Sequence, residues 1–287
     1  MKSFGGTISA SRIKTYLLCP FKYYLEYVLG IRKGDTFPTS NGKLIHKQLE
    51  RISLGHRKNW RKEYLWLYKK TCPHLLHKKW GEFCPEDPEF QIMTGIHNYH
   101  GSVDHLMTTN KKSPLWLFAE GVHLIQKVLD REDSPLDDKV LAVEQKFKLP
   151  IGDGIQITGI IDTVLETEPG VLEIRDWKTG NWVPKYEEAI VDAQLRLYDL
   201  AASLLYPDYE IRLLTFDYLK KCEYTFVVDV NQREKNRKWI INLARKIDKD
   251  MNPRRITNNP YGNFKCKYMC NPDACKKEWK LKDKKIK

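Results

Sequence analysis

Two aspartates set inside strand-like apolar runs constrain this chain more than any other feature. The run GIIDTV (159–164) carries Asp162, and VLEIRDWKTG (171–180) carries Asp176 and Lys178. Both are rich in Ile, Val and Leu, and the turn signal EPG (168–170) separates them, so they read as neighbouring strands. Asp is depleted in strands, and a carboxylate among apolar neighbours needs a partner. Residues two apart in a strand share a face, so Asp176 and Lys178 project together, with Leu172 and Ile174 behind them. A register that sets Asp162 opposite Asp176 brings two carboxylates together, whereas a one-residue slip turns Asp162 to the other face. Converging carboxylates repel unless a cation lies between them, and hard oxygen ligands suit Mg²⁺ or Mn²⁺. The Lys178 ammonium beside them suits orienting a water or stabilising charge on a phosphate. On the residues alone, two solvent-facing aspartates and a surface lysine remain the competing reading.

Periodicity orders the rest of the chain. After the N-cap-like stretch TISASR, apolar residues of 11–31 recur at three- and four-residue steps (Tyr16, Cys19 or Pro20, Tyr23, Tyr27, Ile31), with Pro20 starting a second helix. NGKLIHKQLE (41–50) reads as a Gly-initiated turn into a helix carrying His46 on its first or second turn. Residues 51–138 read as a helical insertion with basic surface, and strands begin near 140 with VLAVEQKFKLP. A helix over about 186–205 aligns Ile190, Leu197, Ala201 and Leu204, and Gln194 and Tyr198, at i and i+4, continue that stripe. Core packing explains Tyr198, but a buried Gln194 needs polar partners. Two more strands and a helix over 231–250 follow. The fold class is α/β (α+β): one domain, 1–287, with N-terminal helices (1–50), the insertion (51–138), an α/β core (139–250) and a C-terminal segment (251–287).

Lys and Arg number 49 against 37 Asp and Glu, a formal charge of +12, which favours a polyanionic partner, nucleic acid before an acidic membrane surface. No apolar run is long enough for a membrane span, and the N-terminus lacks the apolar segment of a secretory signal, so the expected location is cytoplasmic. Seven cysteines, an odd number in such a chain, argue against a disulfide framework. Three cluster as Cys266-x3-Cys270-x4-Cys275, and Cys19 stands alone near the other end. Four thiolates hold either Zn²⁺ or a 4Fe–4S cluster, and spacing alone does not decide between them. Cys72, His74, His77 and Cys84 lack a clean metal-binding spacing and read as surface. Trp60, Trp66, Trp80 and Trp116 suit either stacking on unpaired bases or a small helical core.

Asp162 followed by Asp176-Trp177-Lys178-Thr179-Gly180 resembles the PD-(D/E)XK nuclease superfamily, and more narrowly its RecB-type branch. SASRIKTYLLCP is similar to that branch's N-terminal S-x-S-x-L-x-x-Y-x-x-C-P segment, and GKLIHKQLE to its G-x-x-x-H helix. VEQKF, with Glu144, resembles the strand entering the core, and DAQLRLYDLAA the Q-x-x-x-Y helix. Ile161 stands where the superfamily name has Pro. The resemblance implies a restriction-endonuclease-like mixed sheet flanked by helices. It implies His46, Asp162 and Asp176 as ligands to Mg²⁺ or Mn²⁺, with Asp162, Asp176, Lys178, Gln194 and Tyr198 as the catalytic set. The one-plus-three cysteines resemble the iron–sulfur nucleases of the AddB type and the CRISPR-associated exonucleases. That implies a 4Fe–4S cluster on Cys19, Cys266, Cys270 and Cys275 joining the two chain ends, with Zn²⁺ as the alternative. The implied function is a metal-dependent DNA nuclease, an exonuclease on DNA ends or single strands in repair, recombination or processing. Its partners would be DNA and a helicase or recombination protein, with no membrane. The alternative is an inactive DNA-binding or scaffolding protein with a degenerate nuclease fold, against which the intact Asp162, Asp176 and Lys178 argue.

Overall fold

The strand-like runs between 139 and 178 form an antiparallel meander, and the helices pack against it. The computed structural model describes residues 6–31, 37–71, 114–209, 211–251 and 275–278. Its strands are β1 (Thr7–Ile8), β2 (Lys139–Gly152), β3 (Ile155–Glu168), β4 (Val171–Lys178), β5 (Ile211–Tyr218) and β6 (Cys222–Val227). β3 pairs antiparallel with both β2 and β4, β5 runs parallel to β4, and β6 closes antiparallel on β5. The sheet is therefore mixed, with helices against it.

One edge of β3 is shared. β1 pairs with it in parallel at Gln156 and Ile157, and β4 pairs with it from Thr163 onward. Between them, residues 158–162 have no ladder partner on that edge among the described residues, a break at which the backbone needs other donors and acceptors. β1 is not anticipated by the sequence reading. Ser9 caps the next helix, its hydroxyl accepting from Arg12 N–H.

The helices are α1 (Ala10–Leu18), α2 (Pro20–Tyr23) running into a π turn (Tyr24–Val28), α3 (Phe37–Ser53), α4 (Trp60–Thr71), α5 (Pro114–Leu129), α6 (Tyr186–Ala189), α7 (Ala193–Leu205) and α8 (Val230–Asp250). Pro20 opens α2 at a position where its missing N–H costs nothing. Three expectations need correction. α3 begins at Phe37, so Gly42 lies inside the helix and His46 on its third turn. The helix expected over 186–205 is two, because Asp192 turns extended and caps α7 by accepting from Gln194 N–H. Ile190 consequently leaves the buried stripe and is 49% exposed, and Leu204 is exposed as well.

Two hydrophobic cores result. Ile13, Ile157, Ile161, Leu172, Ile174, Leu197, Ala201 and Ile240 join the sheet to α1, α7 and α8. Leu44, Ile45, Leu49, Trp60, Tyr64, Phe118 and Ile125 join α3, α4 and α5, and Trp177 and Leu219 enter this second core from the sheet. β4 thus feeds both cores through its alternating side chains. Trp60 is a core residue, whereas Trp66 is exposed. Trp80, the Trp116 side chain and the Cys72–Cys84 group lie outside the described residues.

Candidate active site

The β3–β4 ladder pairs Thr163 with Arg175 and Val164 with Ile174, so one further step sets Asp162 across from Asp176. The ladder ends before that step. Asp162 Oδ2 instead accepts the Trp177 N–H at 3.0 Å, a side chain standing where a strand carbonyl would. The same oxygen faces His46 Nδ1 at 3.2 Å. Gly42 makes this approach possible. A Cβ there would stand 2.7 Å from Thr179 Oγ1, so only a bare backbone lets α3 come close to the end of β4.

Asp176 is buried. Its Oδ1 accepts from Gln194 Nε2 at 2.5 Å, and the Tyr198 hydroxyl lies 3.2 Å away. Its Oδ2 is in ion-pair contact with Lys178 Nζ, but off the direction of a hydrogen bond, and no other donor among the described residues reaches it. Gln194 holds the group together: its Oε1 accepts from Lys178 Nζ at 3.1 Å and its Nε2 also donates to the Tyr198 hydroxyl at 2.8 Å. Tyr198 in turn donates to the Ile160 carbonyl at 2.8 Å, inside the break on β3. The polar partners that a buried Gln194 requires are therefore Asp176, Lys178 and Tyr198.

Burial pushes the Asp176 carboxyl above the usual carboxylate range, with Lys178 pulling against it and Asp162 adding to it. Burial pulls the Lys178 ammonium down, but its contact with Asp176 outweighs this and its pKa is raised. The balance is the same for His46, where burial lowers the pKa and the hydrogen bond to Asp162, together with the negative charges of Asp162 and Asp176, more than restores it. Tyr198 is held well above its ordinary value by burial and by the two nearby carboxylates, so it stays a donor.

Each carboxylate is claimed by its own donors. Among the described residues no three His, Cys, Asp or Glu side chains stand as a ready-made metal-ligating group. The donor types still fit a hard divalent cation: two carboxylates, one imidazole, and a buried Asp176 oxygen that accepts no hydrogen bond from the described residues. Of the four cysteines singled out, Cys19 and Cys275 fall in one small cluster with Phe21 and Leu25. Cys266 and Cys270 lie outside the described residues.

Among known proteins, the model of the PD-(D/E)XK nuclease superfamily matches residues 7–275. The chain belongs to this superfamily. Its nucleases typically use divalent metal ions such as Mg²⁺ or Mn²⁺. The chain is 23% identical over 202 residues to one of the subunits of the ATP-dependent helicase/deoxyribonuclease of Clostridium kluyveri, covering 66% of this chain and 17% of that one. It is 28% identical over 193 residues to an uncharacterised protein of Rickettsia conorii, covering 64% of this chain and 20% of that one. It spans no more than about a fifth of the length of these relatives. A solved structure of a candidate exonuclease from Eubacterium rectale overlaps 92% of this chain and 88% of its own, with a TM-score of 0.49 and 10% identity.

The sequence reading missed Lys14 of α1, whose Nζ donates to Gln194 Oε1 at 3.3 Å and pairs with Asp192 at 2.8 Å. No local pattern signals it, because the contact spans 180 residues. Among the described residues no helix is long and apolar enough to cross a membrane.

Proposed function

We propose that this chain is a metal-dependent deoxyribonuclease, acting as an exonuclease on DNA ends or single strands. The observation that carries the reading is Gln194 joining Asp176, Lys178 and Tyr198 beside Asp162 and His46. Asp162, Asp176 and His46 would hold the divalent ion, Mg²⁺ or Mn²⁺, which supplies Lewis-acid stabilisation of the phosphodiester and an acidified water. Lys178, kept charged by Asp176, orients the attacking water and offers positive charge to the phosphate as its oxygens gain negative charge. Gln194 fixes both Lys178 and Asp176, so the ammonium and the carboxylate keep their relative positions. Tyr198 holds Gln194 and anchors the cluster to the backbone of β3.

The +12 charge suits a polyanionic substrate, and likeness to part of a helicase/deoxyribonuclease suggests work in repair or recombination beside a helicase. Cys19, Cys266, Cys270 and Cys275 are proposed to hold a 4Fe–4S cluster, supported by Cys19 and Cys275 sharing one small apolar cluster. Zn²⁺ is the alternative occupant.

The test is a cleavage assay on 5′- and 3′-labelled single and double strands, with Mg²⁺, Mn²⁺ or chelator, on anaerobically purified protein whose iron and zinc are counted. Metal-dependent release of short products from strand ends is expected, with Asp162→Ala and Lys178→Ala inactive. Normal turnover by either variant would overturn the assignment. Zinc without iron would replace the cluster and leave the nuclease reading intact.

A further inference from the structure

Gln194 and Tyr198 also line a cavity of about 230 Å³ outside the carboxylate cluster. Ser9, Ser11, Lys14 and Thr158 supply its polar wall, and Phe147 and Leu197 its apolar one. It opens where β3 lacks a partner strand, so backbone and small side chains form that side. Gly159 is required there, because a Cβ would come within 2.6 Å of the Phe147 ring.

Lys14 is the cation of this cavity. It and Lys178 both donate to Gln194 Oε1, at 3.3 and 3.1 Å, so the two ammonium groups are held as a pair by one oxygen. Two neighbouring ammonium groups can meet two neighbouring phosphates of a nucleic-acid strand, and phosphate contacts fix the register of a bound strand. An ammonium has three donors, and Asp192 and Gln194 engage two of those on Lys14. The Thr158 hydroxyl donates to the Phe147 carbonyl and the Ser9 and Ser11 hydroxyls bond to each other, which leaves one serine O–H as a neutral donor, while Phe147 and Leu197 offer an apolar surface to a sugar.

We propose that this cavity is the subsite for the phosphate and sugar next to the scissile phosphodiester, and that Lys14 is a strand-positioning residue. The proposal rests on the nuclease reading above. It assigns Lys14 to one internal phosphodiester, while Lys178 serves the reacting one.

The experiment is a methylphosphonate scan, in which single-stranded oligonucleotides carry one neutral linkage at each position in turn. Cleavage is measured with Mg²⁺ or Mn²⁺, and binding by fluorescence anisotropy with chelator, for wild type, Lys14→Ala and Lys14→Arg. One position adjacent to the cleaved linkage should weaken wild-type binding about tenfold, the effect of one charge-assisted contact. Lys14→Ala should lose a similar factor, mainly in KM, and become indifferent to that position, and Lys14→Arg should restore most of the loss. The slope of log affinity against log salt should fall by about 0.7 in Lys14→Ala. Lys14→Ala remaining sensitive at that position, or keeping the wild-type salt slope, overturns the proposal. Sensitivity confined to a terminal phosphate overturns the internal assignment. If wild type cleaves nothing, the nuclease reading fails, and the anisotropy arm still reports whether Lys14 meets a phosphate.

Discussion

The two faces of β4 carry two ionic clusters built to different ends. On the odd-numbered face Arg175 lies 2.8 Å from Glu173, 2.7 Å from Asp217 and 2.9 Å from Glu223. Arg131 grips Asp217 with both arms, at 2.5 and 2.9 Å. On the even-numbered face stand Asp176 and Lys178, with Asp162 and His46 beside them. The clusters differ in which charge is reachable. In the first the central Asp217 and Arg175 side chains are 0% and 7% exposed and only the rim, Glu223 at 48%, meets solvent. In the second Lys178, at 30%, and His46, at 25%, reach it directly beside a buried Asp176. The first cluster clasps β4, β5 and β6 by bidentate geometry and closes on itself. The second is held by one amide and reaches solvent through Lys178 and His46. Charge alone therefore does not mark a site. Charge that is positioned yet still reachable does.

The largest test of this contrast is Asp176→Asn. Activity should fall on the order of a thousandfold or more, because the carboxylate acts on the reacting group. The melting temperature should change little, since relief of the buried carboxylate is offset by the lost partner of Lys178, which can turn to solvent. A large loss of stability would mean that the even face is structural too. Arg175→Ala should do the reverse, costing about 3–5 kcal/mol in denaturant unfolding by stranding the buried Glu173 and leaving Asp217 with Arg131 alone. Its surviving folded fraction should keep near wild-type turnover.

Gln194→Ala sharpens the comparison inside the site. Lys178 and Asp176 keep their charges but lose the amide that positions them, so kcat should drop by roughly ten- to a hundredfold with stability nearly unchanged. Unchanged kcat would show that the two groups position each other unaided.

The smallest effect is a pH divergence. Burial raises both Asp176 and Glu173, so the native state keeps their protons at a pH where the unfolded chain has released them. Between the ordinary carboxylate value near 4 and those raised native values, acidification favours the native state through these two groups. Activity needs Asp176 ionised, so it should fail at a higher pH than the fold does. Parallel scans of cleavage rate and melting temperature should separate the two curves, and coincident curves would break the contrast.

The meander and the site residues on it were legible in the sequence because strand alternation is local. Asp162, Asp176 and Lys178 sit in short runs whose faces follow from a period of two. β1 was not legible: two residues carry no periodicity, and their partner lies far along the chain. Gly42 read as a turn because glycine usually punctuates, whereas here close packing against Thr179 keeps it inside a helix. The split at Asp192 was hidden by an apolar stripe that continued across it. The odd-face cluster also escaped notice, since Arg131 and Asp217 meet only once the sheet is formed.

The contact between Lys14 and Gln194 has a consequence in time. The two residues are 180 positions apart, so a ribosome adding about 5–20 residues per second makes the first wait roughly 10–35 s for the second. Throughout that interval α1 has no complete α7 to pack on, and for most of it β1 has no β3 and Lys178 has not yet been made. The residues of the candidate site therefore stay unassembled until α7 has been made. On the proposed reading, binding of a strand to Lys14 and its cleavage beside Lys178 would become possible in one late step, when α7 docks.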